Sequence, residues 1–130
     1  MTSASLANIL YVEDDQDIQT VAQIALEVVG GFVLHSCSSG QQALSDVRQG
    51  YQPDLLLLDV MMPNMDGPTT LTELRKLPLT ASTPVIFMTA KVQSAEVEFY
   101  KSLGAIGVIA KPFDPMQLSE QVRKLWQEKK

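Results

Sequence analysis

Pro53-Asp54-Leu55-Leu56-Leu57-Leu58-Asp59 is the stretch whose reading decides the fold. Four leucines in an unbroken row show neither a helical nor an alternating period. Their length suits a strand covered by side chains on both faces. Strands of that kind belong to parallel sheets sandwiched between helices. A carboxylate, Asp59, closes the run.

The same pattern recurs on either side. Pro84 introduces Val85-Ile86-Phe87-Met88, a second fully apolar strand, and residues 106–110 read as another. Upstream, residues 9–12 form a short apolar run, and Phe32 to Leu34 opens the strand after it. Amphipathic stretches lie between. Residues 17–29 place Ile18, Val21, Ala22, Ala25, Val28 and Val29 on one helical face, with Gly30 and Gly31 as the stop. Ser39 and Gln42 resemble a capping box, opening a helix with Ala43, Leu44 and Val47 inward and Gly50 at its end. A third helix is expected over 68–77, stopped by Pro78, and Ser94 is expected to cap a fourth that ends before Gly104. Asp114-Pro115 reads as an N-cap with proline at the first helical position, followed by Leu118, Val122, Leu125 and Trp126 at helical spacing.

A strand–helix unit repeated five times predicts an α/β fold: a doubly wound, five-stranded parallel sheet with helices on both faces and right-handed crossovers. Residues 9–130 are expected to form one domain, and residues 1–8 a short flexible lead-in. At 130 residues, 45% hydrophobic and 19% charged, the chain has the means to bury a substantial core. A net charge of −5 with scattered cations argues against nucleic acid as a partner, since backbone phosphates demand a concentrated basic face. Cys37 is the single cysteine, so no internal disulfide is possible, no thiolate metal site is expected, and a reducing cytoplasmic setting fits. The apolar run after Asn8 is too short for a signal peptide or a membrane span.

In sheets of this kind ligands bind at the carboxyl ends of the strands, where the strand order reverses. Polar residues gather there. Glu13, Asp14 and Asp15 follow the first strand; Asp59, Thr89 and Lys111 end the third, fourth and fifth. Carboxylates crowded together stay ionised only beside positive charge. An oxygen-only donor set suits Mg2+, with Mn2+ as a substitute, and disfavours zinc. A carboxylate beside such a cation and a lysine is a nucleophile toward phosphorus, and Thr89 offers a hydroxyl to the product. Asp15 reads as a helix cap and Asp17 as a helix-start acid.

These motifs resemble the receiver domains of two-component response regulators, a flavodoxin-like family. The resemblance lies in ILYVEDD (9–15), LLLLDVMMPNMDG (55–67), VIFMTA (85–90) and GVIAKPF (107–113). Their intervals also match: 59−14 = 45, 89−59 = 30 and 111−89 = 22. The resemblance implies that Asp59 is the phosphoacceptor. Asp14, Asp59 and the main-chain carbonyl of Met61 would ligate Mg2+, with Glu13 acting through water. Thr89 and Lys111 would sense and pair the phosphoryl group, Ala90 would leave room for it, and the Lys111–Pro112 bond would be cis.

It further implies a signalling phosphoacceptor that promotes only its own phosphorylation and dephosphorylation. A histidine kinase or phosphotransfer protein would be the donor. A downstream protein would dock on the face built from the fourth helix, fifth strand and fifth helix, and the chain would be a monomer or weak dimer. One departure stands out: Val108 occupies a position where such domains often carry an aromatic residue, and a valine cannot make the same inward swing. Output is then expected to depend on the loop after Thr89 and on the fourth helix. Met1 and the completed fifth helix favour a stand-alone, chemotaxis-type form. The alternatives are a receiver fragment of a longer regulator or a small Mg2+-dependent aspartyl phosphohydrolase. The hydrolase would want an acid two residues after the nucleophile, where Met61 stands. His35 reads as a surface strand residue and Cys37 as a small buried one.

Overall fold

The computed structural model describes residues 6–129. Elements alternate along the chain: β1 (Asn8–Val12), α1 (Gln16–Gln23), β2 (Val33–Cys37), α2 (Gly40–Arg48), β3 (Leu55–Asp59), α3 (Gly67–Leu74), β4 (Val85–Thr89), α4 (Ser94–Ser102), β5 (Gly107–Ala110) and α5 (Leu118–Glu128). All strand pairs are parallel, in the order β2-β1-β3-β4-β5. The order reverses between β1 and β3, so the crevice for a ligand opens at their carboxyl ends.

Strand alternation builds two cores. Leu10, Val12, Leu56, Leu58 and Phe87 pack against α2, α3 and α4 on one face. Ile9, Tyr11, Leu55, Leu57, Ile86, Met88 and Ile109 pack against α1 and α5 on the other. All four leucines of β3 are fully buried. At roughly 1.5–3 kcal/mol gross for each, they make β3 the spine of the sheet.

Several boundaries move from their sequence expectation. β2 starts at Val33, and Phe32 is buried with the Arg123 guanidinium 4.5 Å above its ring. α1 gives way to a π-helical segment over Ile24–Val29. The wider turn shifts the register after Leu26, so Gly30 comes inward while Val28 and Val29 face out, Val28 being 78% exposed; Val21, upstream in regular helix, is also exposed. Gly30 is needed there, because a Cβ would lie 2.1 Å from Ser119 Oγ, which donates a hydrogen bond to the Ala25 carbonyl at 2.6 Å.

α3 ends at Leu74, and a separate 3-10 turn covers Pro78–Thr80. Gln93, not Ser94, is the N-cap of α4, with no side-chain cap bond. Asp114 caps a turn through Met116 N at 2.9 Å, and α5 proper begins only at Leu118. Ser39 does cap α2 through Gln42 N, while Gln42 reaches back to Ser38 N. Residues 1–5 of the expected lead-in lie outside the described residues. Ala7 and Asn8 are tied by their amides to Asp54 Oδ2 at 3.1 and 2.8 Å.

Candidate functional site

Alternation along the strands decides which side chains can meet beyond their ends. Glu13 continues the face of Ile9 and Tyr11, Asp59 that of Leu55 and Leu57, and Lys111 that of Ile109. These three therefore converge on the α1/α5 side of the sheet edge. Lys111 Nζ donates to Glu13 Oε1 and to Asp59 Oδ1, both at 2.9 Å. Glu13 and Asp59 are 1% and 2% exposed. Asp14 is exposed, yet one oxygen from each of Glu13, Asp14 and Asp59 lies within 4.8 Å of the others.

Local bonds hold this group. The Glu13 amide donates to the Cys37 carbonyl at 3.0 Å, and Gln19 Nε2 donates to the carbonyls of both Glu13 and Cys37. Glu13 Oε2 accepts from the Asp15 amide at 3.2 Å. Asp15 itself caps α1 through Asp17 N and Ile18 N, in keeping with its place in the sequence. On the β3 side, Gly67 N bonds the Val60 carbonyl, folding the loop beneath Asp59. A Cβ on Gly67 would sit 2.6 Å from the Asp59 carbonyl oxygen. The sequence expectations include neither Gln19 nor Gly67, although a glycine eight residues after a strand-end acid is a signal of close backbone approach.

Thr89 lies on the other parity, toward α4, and is buried at 4% exposure. Its Oγ1 accepts from the Lys91 amide at 3.2 Å, and the Lys111 amide bonds its carbonyl at 2.9 Å. Ala90 follows, exposed, and the Met61 side chain is 78% exposed on the β3–α3 loop. The Lys111–Pro112 bond is cis.

The electrostatics are unbalanced. Burial raises the pKa of Glu13 and of Asp59 above the usual carboxylate range, even though Lys111 pulls both down. Burial alone would depress Lys111, but its bonds to Asp59 and Glu13 outweigh that and raise it. One lysine faces two buried acids, with Asp14 at the rim. The net direction for both carboxyls is upward, because burial outweighs the pull of the one cation they share. Tyr11, fully buried beneath Glu13, is pushed up by burial and then by the charge of Glu13. The hollow holds surplus negative charge and an all-oxygen donor set, which fits a hard divalent cation such as Mg2+.

The family profile described as "Response regulator receiver domain" matches residues 9–123. The chain belongs to this family. The receiver domain is 34% identical over 115 residues to the "Probable transcriptional regulator ycf27" of Guillardia theta, a match covering 88% of this chain and 43% of that protein. It is 34% identical over 120 residues to the "Transcriptional regulatory protein CseB" of Streptomyces coelicolor, covering 92% and 49%. The chain thus spans about half the length of the curated relatives it matches. Among solved structures, chemotaxis response regulator CheY4 of Vibrio cholerae superposes with a TM-score of 0.83 at 26% identity, covering 93% of this chain and 99% of that one. A putative response regulator from Chloroflexus aurantiacus gives 0.81 at 28% identity, covering 95% and 100%. The fold is the parallel, flavodoxin-like one of these receivers, and the chain is a receiver domain of two-component signalling. Among the described residues, no helix is long and apolar enough to cross a membrane.

Proposed function

We propose that this receiver accepts a phosphoryl group on Asp59 and so switches its affinity for a partner protein. The observation that carries the reading is the Lys111 ammonium bridging Glu13 and Asp59 at 2.9 Å in a hollow where three carboxylates converge. An Asp59 oxygen attacks the phosphorus of a phosphohistidine on a histidine kinase or phosphotransfer protein. The P–N bond breaks, the imidazole leaves with its electron pair and takes a proton from water, and an acyl phosphate remains. Lys111 orients Asp59 beforehand and then pairs with the phosphoryl oxygens. Asp14, Asp59 and the Met61 carbonyl would hold Mg2+, with Glu13 through water, and the ion would supply neutralising charge to those oxygens. Ala90, small and exposed, leaves space beside Thr89.

Output is proposed to run through the loop after Thr89. With Thr89 Oγ1 turned to a phosphoryl oxygen, its bond to the Lys91 amide is lost and the segment leading into α4 is released. Val108 is half-buried against the core of the α4 side and does not provide an aromatic swing. The α4–β5–α5 face would meet the partner, while exposed Phe99 and Leu103 of α4 line a groove with Pro68, Leu71 and Arg75 on its α3 side. A cytoplasmic setting would supply both donor and Mg2+. The chemistry needs no nucleic acid, and the same site would serve a receiver alone or within a longer regulator.

Incubation with acetyl phosphate and Mg2+, followed by intact mass measurement, tests the reading. One added phosphoryl group is expected on the wild type, and none on Asp59→Asn or after chelation of the metal. Repeated turnover of a phosphate ester without accumulation of the labelled protein would favour the phosphohydrolase instead.

A further inference from the structure

A second cluster of ligating side chains lies outside the phosphoacceptor hollow, at the open edge of the sheet. β2 is an edge strand, and His35 and Cys37, two residues apart on it, point to the same side, toward α2. Asp46 comes up from α2 to meet them. His35 Nε2 lies 2.7 Å from Asp46 Oδ2, and Cys37 Sγ donates to the same oxygen at 3.4 Å. One ligand atom from each of the three lies within 4.8 Å of the others.

We propose that His35, Cys37 and Asp46 form a binding site for a borderline-soft divalent cation of the zinc type, clasping β2 to α2. A single cysteine led the sequence to predict no thiolate site, but one nitrogen, one sulfur and one oxygen suffice when a water completes the tetrahedron. Zinc ligands at about 2.0–2.3 Å in tetrahedral array stand roughly 3.3–3.6 Å apart, so the 2.7 and 3.4 Å spacings to Asp46 need shifts of less than about 1 Å. The imidazole is already oriented, because its ring stacks on Tyr51 with centroids 4.3 Å apart. The ion has a route in: the His35 side chain is 36% exposed, whereas Cys37 is buried.

Binding balances simply. The thiol proton passes to water as the metal–sulfur bond forms, and the proton between His35 Nε2 and Asp46 Oδ2 is likewise given up to water as Nε2 becomes a ligand, the ring keeping a proton on Nδ1. The donor sets separate the two sites. The oxygen-only hollow at Asp59 suits Mg2+, and the N, S, O cluster suits zinc.

The test uses the whole chain in excess Mg2+, which occupies the oxygen-only hollow. Co2+, a spectroscopic substitute for zinc, is titrated in, and the thiolate-to-cobalt charge-transfer band is followed. The expected result is a band saturating at one equivalent in the wild type and in Asp59→Asn, and lost in Cys37→Ser. His35→Gln should bind at least about tenfold more weakly. No band in the wild type, or a band that survives in Cys37→Ser, overturns the proposal. Because Cys37 is buried and its replacement can loosen the fold, the thermal midpoint with Zn2+ is the second readout. Zn2+ should raise it in the wild type and in Asp59→Asn and by clearly less in His35→Gln, whose fold is checked by circular dichroism. An equal rise in His35→Gln also overturns it.

Discussion

Replacing Lys111 by methionine keeps much of the side chain's length and removes its charge. Two contacts of 2.9 Å are lost, to Glu13 and to Asp59. At an effective dielectric of about 20, each is worth about 6 kcal/mol gross. Both acids are almost fully buried and Lys111 is 18% exposed, so much of that gross value offsets the cost of removing the charges from water. Breaking one buried pair typically costs about 3–5 kcal/mol, and that is the loss expected here at neutral pH without divalent cation. For 130 residues this lowers the thermal midpoint by roughly 10–20 °C.

The carboxyls set the sign of the pH dependence. Glu13 and Asp59 are raised by burial, so folding increases their affinity for protons. Their contribution to stability therefore falls as pH rises from the ordinary carboxylate range through the raised values. In Lys111→Met they protonate more readily still, and the loss shrinks toward pH 5. Mg2+ at neutral pH should shrink it too, by replacing the missing positive charge. Thermal and urea unfolding at pH 5 and pH 7.5, with and without Mg2+, read all four corners. A loss that is the same in every corner, or below about 1 kcal/mol at neutral pH, refutes the charge-imbalance reasoning.

Asp59→Asn should stabilise the metal-free protein by about 0.5–2 kcal/mol at neutral pH, relieving repulsion with Glu13 and Asp14, and should blunt the stabilisation that Mg2+ gives the wild type. Urea midpoints check both; a destabilised variant would count against surplus charge. Gly67→Ala should cost about 1–3 kcal/mol, because the new methyl meets the Asp59 backbone rather than a movable side chain. It should also slow acetyl-phosphate labelling more than its stability loss explains, and unaltered labelling kinetics would remove Gly67 from positioning Asp59. Beryllofluoride with Mg2+ should shift backbone amide resonances across residues 90–103, and Thr89→Ala should reduce those shifts. Spectra unchanged in that segment of the wild type would sink output through the β4–α4 loop.

The strands are legible in the sequence because β3 and β4 are buried on both faces and so written as unbroken apolar runs. The acids, threonine and lysine are legible because each sits directly after such a run, where the topology of a parallel sheet gathers side chains. The outward turn of Val28 and Val29 is not legible. An α-helical period assigns them inward, and only the π-helical turn, packed against Ser119 of α5, changes the register. The start of α5 is obscured for a related reason: Asp114 caps its turn as expected, but three residues intervene before regular helix. His35 reads as a surface residue because nothing local reveals that Asp46 and Tyr51 close over it. That grouping arises from the packing of a helix on an edge strand, and no period in the sequence encodes it.

Borohydride reduction of the protein labelled with acetyl phosphate and Mg2+, followed by peptide mass mapping, locates the phosphoryl group most directly, since an aspartyl phosphate is converted to homoserine. Homoserine is expected at position 59 alone. Conversion at Glu13 or Asp14 instead, or label surviving on His35 with Asp59 intact, would contradict it.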